Sequence, residues 1–307
     1  MSHAALAQHG VLTDPTEHVE YLTFVVEDVP EAAAVAEAMS RLTNISHSIR
    51  QKDTTAALTL TIGFSANGWS NLFPDQPMPA DLHPFVELRD GPRHFPSTPG
   101  DIFIMVKSHR LDLNFQAAKY LAPGFAPIAR LIDDTPGYKY LDDRDLIDFV
   151  DGTENPHAAE RQAAVLNMEE PYPGSSYLIV QRYVHKTDKW EAQSVAEQEG
   201  VIGRTKFDDI ELDDAVKKPY AHNVRSKVEI DGVEIKMLRQ NRAFGNVLEH
   251  GTMFVGFAKS PAVIETSLRQ MIIADEDGNY DHLLDFADAV TGMNFFVPPK
   301  AFVDQFA

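Results

Sequence analysis

Cysteine is absent from all 307 residues. That excludes disulfides, thiolate metal sites, iron–sulfur clusters and cysteine nucleophiles together. Long apolar runs are missing as well: no stretch approaches the roughly 18 residues that read as a bilayer span. Basic residues are scarce, with 27 Lys plus Arg against 46 Asp plus Glu and a formal net charge of −19. A surface that acidic repels phosphate backbones and anionic membranes, so neither nucleic acid nor membrane is an expected partner. The N-terminus, from Met1 to His9, has no basic n-region and no long apolar core, which argues against a signal peptide and for a cytoplasmic protein. The last residues carry no basic tail and no lipidation signal.

What is present fits an ordinary globular chain, 44% hydrophobic and 24% charged. Its length suggests about two domains. Twelve histidines remain as the soft metal ligands.

The first half alternates strand and helix patterns. Residues 21–26, 58–64 and 102–106 read as strands, and residues 30–42 and 111–121 as helices. Residues 66–100, rich in Pro, Gly and Asp, read as a long irregular excursion. The second half repeats the theme. Strands are expected at 177–184, 253–258 and 294–297, and helices at 190–198 and 260–273. Residues 200–226 show no clear period. Residues 227–236 alternate on both sides of Asp231-Gly232, a hairpin pattern. The strand-to-helix segments at 101–108 and 251–260 echo one another, so a duplicated unit is plausible. The boundary falls near residues 135–148, where Asp and Gly cluster, dividing the chain into 1–145 and 146–307.

Four segments hold candidate chemistry. In Asp148-Phe149-Val150-Asp151-Gly152-Thr153-Glu154-Asn155-Pro156, Asp151 is either a turn former or a carboxylate held in a pocket. His222, in Ala221-His222-Asn223-Val224-Arg225, is a surface or core histidine or a metal ligand. In a cysteine-free chain a single histidine ligand points to haem, whose macrocycle supplies four further ligands. Arg239 and Asn241 share one face of a strand, offering a guanidinium and an amide together, or else mark a solvated strand end. Asp281 and Asp285 share a face if residues 280–286 are helical, where one carboxylate would accept a histidine N–H.

Together and in this order, these segments closely resemble the dye-decolourising peroxidases. The resemblance also rests on Val201-Ile202-Gly203-Arg204-Thr205-Lys206, Leu238-Arg239-Gln240-Asn241, Gly251-Thr252-Met253-Phe254-Val255-Gly256 and Thr291-Gly292 with Phe295-Phe296-Val297-Pro298. It is strong over residues 146–300 and architectural before that, and it looks most like the compact bacterial B-type subgroup. It implies an α+β fold of two duplicated ferredoxin-like domains, antiparallel sheets with helices on their outer faces, and one haem b per chain in the second domain. It implies His222 as the iron ligand, backed by Asp281, the favoured partner, or by Asp285. Asp151 and Arg239 become the distal pair with Asn241 alongside, and Arg204 or Arg225 meets a haem propionate.

The implied activity reduces hydrogen peroxide through a ferryl intermediate and oxidises dyes, phenolics or other one-electron donors. Trp190, Tyr177, Tyr183 and Tyr220 are candidate electron carriers. The rival readings are a haem-storage, transfer or iron-release protein, a chlorite dismutase-like enzyme, and a ferredoxin-like ligand-binding module without haem. A homo-oligomer, dimer or larger, is expected. Some relatives enter encapsulin shells through a C-terminal peptide; this chain stops at Ala307, soon after Val297-Pro298, and no such extension is expected. One departure stands out. The family motif is Gly-x-x-Asp-Gly, and Asp148 occupies the first Gly. It takes either a negative φ or the left-handed region that Asp tolerates. If its carboxylate faces the same pocket as Asp151, it raises the Asp151 pKa.

Overall fold

The computed structural model describes residues 3–307; Met1 and Ser2, part of the N-terminal reading, lie outside them. Four strands come from the first half: β1 (His18–Val25), β2 (Thr59–Phe64), β3 (Ile102–Ser108) and β4 (Arg130–Tyr138). Four come from the second: β5 (Ser176–His185), β6 (Arg242–Gly245), β7 (His250–Ala258) and β8 (Met293–Val297). The first four lie in the order β4-β1-β3-β2, and the second four in the order β8-β5-β7-β6. In each half, therefore, the first strand lies between the fourth and the third, with the second beyond the third. The halves join at Phe64–Phe296 on one side and at Phe244–Gly137 and Ala243–Tyr138 on the other. Every pairing is antiparallel and the circuit closes into an eight-stranded barrel. The result is an α+β architecture.

Period-two side-chain alternation explains the layers. Along β3, Phe103, Met105 and Lys107 point into the barrel, while Ile102, Ile104 and Val106 face the helices. Those helices are α1 (Ala32–Arg50) and α2 (Leu111–Phe125), which cover the first half through Met39, Leu42, Leu113, Leu121 and Phe125. The second half is covered by α3 (Pro261–Ile272), opened by Pro261 at its first turn, with Ile264 and Leu268 packed on Ile179 and Ala258.

Several expectations need correction. Residues 66–100 are not irregular throughout. Ser65 caps a helix at Ala66–Leu72 by accepting from Gly68 N at 3.0 Å, and a hairpin joins Leu88–Asp90 to Arg93–Phe95. Trp69, Phe73, Phe85 and Phe95 bury the excursion against the barrel. The expected helix at 190–198 is two, Thr187–Glu191 and Val195–Ile202, because Ser194 and Glu197 form a capping box that starts a new helix. The Asp133-Asp134-Thr135-Pro136-Gly137 cluster, at which no strand was expected, lies in strand β4. Its proline is tolerated because β6 reaches only Gly137 and Tyr138, leaving the rest of that edge unpaired. The Asp231-Gly232 turn is present as expected, with φ of +53° and +76°.

Candidate active site

A cavity of about 300 Å³ opens between the ends of β5 and β7 and the loops of the second half. Apolar side chains make much of its wall: Phe149, Ile202, Phe254, Leu268, Met271 and Phe286. Of the residues expected at the site, Asp151, Arg204, His222, Arg239 and Asn241 all line it.

His222 opens a short helical turn, His222–Arg225. Its Nδ1 lies 2.7 Å from Asp281 Oδ2, and the Asp281 side chain is fully buried. An ionised carboxylate only accepts, so Nδ1 carries the proton and Nε2 is left with a lone pair. No protein partner engages Nε2 among the described residues. The pairing follows from local chemistry at Asp281. Residues 280–286 do not form an α-helix; His282–Asp285 is a 3-10 turn with Asp281 as its N-cap. One carboxylate oxygen accepts from Leu283 N at 3.0 Å, and the other takes the histidine. Asp285 does not share that face. It accepts from Tyr280 Oη at 3.1 Å.

Arg239 and Asn241 flank Gln240, which turns into the barrel, so the two project together into the cavity. Asn241 is fixed by Val255 N, which donates to its Oδ1 at 3.1 Å, and its Nδ2 reaches Asp151 Oδ1 at 3.4 Å. Arg239 is held through its backbone. Asn155 Nδ2 donates to Arg239 O at 2.8 Å, and Arg239 N donates to Asn155 Oδ1 at 2.9 Å. The sequence reading quoted Asn155 but assigned it no role. On the barrel side, Gln240 donates to Val11 O at 2.9 Å and accepts from the buried Lys107 ammonium.

Burial pushes the Asp151 carboxyl above its ordinary value. Arg239 pulls it down, Asp145 pushes it up, and the Asn241 hydrogen bond pulls it down. The carboxylate that acts on Asp151 is therefore Asp145. Thr252 Oγ1 donates to it, and His185 Nδ1 lies 3.6 Å away. Asp145, His185 and Thr252 all line the cavity; Thr252 falls in a quoted motif without a role, and no motif flagged Asp145 or His185. Asp148 turns elsewhere. It sits at φ +70°, the left-handed alternative, with its carboxylate 3.3 Å from Lys206 Nζ and half exposed.

The two propionate candidates separate. Arg204 lines the cavity, where Asp209 and Glu154 hold it at 2.6 and 3.0 Å. Arg225 stands off the cavity. Its guanidinium donates to Gln270 O and Ile273 O and pairs with Asp275, tying down the end of α3. The candidate electron carriers Trp190 and Tyr177 are buried in packing clusters, Trp190 against Phe149 and Phe286. Tyr183 is half-buried, its hydroxyl donating to Gln181 Oε1 at 3.0 Å. Tyr220 is half-buried and stacks on His282.

Two family descriptions cover nearly all of this chain: "Dyp-type peroxidase, N-terminal" over residues 8–139 and "Dyp-type peroxidase, C-terminal" over residues 142–302. The chain belongs to the Dyp-type peroxidase family. It is 41% identical over 300 residues to a dye-decolorizing peroxidase of Rhodococcus erythropolis, covering 96% of this chain and 87% of that one. The solved DyPB of Rhodococcus jostii RHA1 is 37% identical, with a TM-score of 0.93, covering 98% of this chain and 99% of that chain. A DypB variant from the same organism, solved in complex with heme, has a TM-score of 0.92 at 37% identity and covers 96% of this chain and 97% of that chain. This Dyp-type chain therefore matches the DyPB-like bacterial subgroup, and the likeness supports a peroxidase, an oxidoreductase. No helix among its described residues is long and apolar enough to cross a membrane.

Proposed function

We propose that the chain binds one haem b in this cavity and uses hydrogen peroxide to oxidise dyes, phenolics or other one-electron donors. The observation that carries the reading is the His222–Asp281 pair, which aims a single basic imidazole nitrogen at an apolar cavity that also holds Asp151, Arg239 and Asn241. The donor set fits haem. Among the described residues no three His, Cys, Asp or Glu side chains converge to hold a bare metal ion. One imidazole suits a macrocycle that brings its own equatorial ligands.

His222 would hold the iron, Asp281 raising the basicity of that ligand, and Arg204 would meet a propionate. Bound there, haem supplies an iron centre that accepts oxidising equivalents from peroxide and passes them on one electron at a time. Asp151, ionised, would take a proton from one peroxide oxygen and return it to the departing one. Arg239 stabilises the negative charge on that departing oxygen. Asn241, fixed by Val255 N, holds the peroxide or a water against Asp151. A haem carrier needs neither Asp151 nor a clamped Arg239, so the Asn155 clamp favours the peroxidase over the haem-handling alternative.

We also read the matching strand orders as a duplicated ferredoxin-like unit, residues 1–145 and 146–307, with the cavity in the second. A homo-oligomer remains part of this reading; Val247 and Leu248, each 93% exposed at one hairpin tip, offer a contact.

The test is haem titration followed by visible absorption. Wild-type chain should give a Soret band at one haem per chain, and His222→Ala should lose it or bind far more weakly. Full loading of His222→Ala with an unchanged ferric spectrum would overturn the assignment.

A further inference from the structure

The helical turn His9–Leu12 does not curl back at its end; Thr13 continues it in extended backbone, with φ −77° and ψ 149°. A helical turn cut off in this way leaves its last carbonyls without backbone partners. Side chains from distant parts of the chain take them. Gln240 Nε2 donates to Gly10 O at 3.2 Å and to Val11 O at 2.9 Å. Arg161 Nη1 donates to Leu12 O at 2.9 Å, and the buried Lys107 Nζ donates to Thr13 O at 2.8 Å. Further on, Arg242 Nε donates to Thr16 O at 2.8 Å.

These donors are not scattered. Gln240 sits between Arg239 and Asn241, and Arg242 follows them. Arg161 lies on the helix Ala158–Val165, directly after the Asp151–Pro156 loop, and its Nε donates to Pro156 O at 3.1 Å. Lys107 Nζ also donates to Gln240 Oε1. Apolar packing joins the same pieces, since buried Val11 shares a cluster with Leu238 and Val165. One short segment of the first half therefore holds both segments of the second half that carry the distal residues. Directly, those two segments meet through the Asn155–Arg239 backbone pair and through Asn241 Nδ2, which is 3.4 Å from Asp151 Oδ1 and long for a hydrogen bond.

We propose that residues Gly10–Thr16 are a brace that fixes Arg239 and Asn241 relative to Asp151, with Arg161 and Gln240 as its positioning residues. The kinetic consequence rests on the peroxidase reading; the structural one does not. The planar guanidinium fork of Arg161 spans carbonyls on two segments, Leu12 O and Pro156 O, and so sets the gap between them. Gln240 acts from the other side. Its backbone N donates to Val255 O at 2.8 Å while its side chain is held at the turn, so residues 239 and 241 stay aimed at the opposite face, into the cavity. Without the brace the Asp151–Pro156 loop drifts from Arg239. The charged groups facing the Asp151 carboxyl are Arg239, Asp145 and Arg242, with the Tyr21 hydroxyl beside them. Asp145 N is bonded to Phe149 O and moves with the loop, whereas the two arginines stay behind. Their hold on the carboxylate weakens, and its pKa rises.

Hydrogen exchange read by mass spectrometry on the haem-loaded chain, with a stopped-flow pH series on the same samples, tests the brace. In Arg161→Met, peptides covering residues 150–156 and 237–242 should exchange faster by about tenfold, the scale of one or two lost hydrogen bonds, while β1 and β3 keep wild-type protection. The reaction with peroxide should slow by about tenfold, and its acid limb should move to higher pH. Arg161→Lys, which keeps a donor, should recover most of both changes. Gln240→Met should act in the same direction as Arg161→Met. Arg130→Gln, at an exposed pair with Glu27, should change nothing. Circular dichroism confirms that each variant is folded. Unchanged exchange in a folded Arg161→Met chain overturns the proposal. So does faster exchange with a wild-type rate and acid limb, which makes the segment a structural cap and no more. If the wild-type chain itself fails to react with peroxide, the peroxidase reading falls, and the exchange data still decide whether the segment holds the two others together.

Discussion

At Asp151 two opposing effects meet. Burial raises the carboxyl pKa, while Arg239 and Asn241 restrain the rise and Asp145 adds to it. A base must be ionised to take a proton, so the peroxide reaction should fade as pH drops through the Asp151 pKa. Removing the Asp145 charge lowers that pKa. Asp145→Asn should therefore move the acid limb of the pH–rate profile to lower pH. Asp148→Gly should leave the limb in place and change stability by only about 0.5 kcal/mol, because Asp148 points to Lys206 and solvent. A stopped-flow pH series on both variants checks this; a limb that moves in Asp148→Gly and not in Asp145→Asn refutes it. The same raised pKa bears on stability. Folding is favoured most while the carboxyl is protonated, below its unfolded pKa, and that advantage is lost as pH rises through the higher folded value. Arg239 has a separate role. Arg239→Leu should keep haem loading and slow the reaction with peroxide by about a hundred- to a thousand-fold, or ~2.7–4 kcal/mol. A stopped-flow trace equal to wild type would remove the arginine from the mechanism.

Placing these side chains is the work of short elements. The Leu238–Arg239 strand has two residues, too few to hold a guanidinium by pairing alone. It pairs with β7 at Leu238–Phe257 and Arg239–Gly256, Asn155 clamps its solvent edge, and Gln240 anchors the next residue into the barrel. Asn155→Ala removes two hydrogen bonds of about 0.5–1.5 kcal/mol each. Peroxide reactivity should fall toward that of Arg239→Leu while haem affinity and the ferric spectrum stay near wild type. If reactivity is unchanged, the clamp does not position the arginine.

Across the whole molecule, the barrel joins the halves so closely that neither has a complete core. The β2–β8 seam has a single register pair, Phe64–Phe296. It is reinforced by Trp69 of the first half, packed at 4.9–5.3 Å against Tyr172, Phe296 and Phe302 of the second. Phe302→Ala should cost ~3–5 kcal/mol, read from a denaturant melt. Residues 1–145 expressed alone should lack a cooperative transition, since Trp69 would lose three aromatic neighbours. A fragment with native-like near-ultraviolet dichroism and a sharp melt would show that the halves are separable.

The sequence by itself determined the strand-and-helix alternation, the hairpin at Asp231-Gly232, the absence of thiolate chemistry and, through its motif string, the family; it also named His222, Asp151, Arg239 and Asn241 as candidates. These are properties of local pattern and of residue type in order, and both are written along the chain. Only the tertiary structure decided the rest. Strand β4 was hidden because Asp, Pro and Gly suit an edge whose partner reaches just its last residues. Asp281 rather than Asp285 became the partner of His222 because an N-cap, not a helix face, sets its direction. Arg225 left the cavity for carbonyls at the end of α3, and of the two outcomes left open for Asp148 the left-handed turn selects the one that points away, while Thr252 holds Asp145 at the cavity. Each of these choices depends on which distant backbone or side chain arrives within hydrogen-bond reach, and periodicity carries no record of that distance.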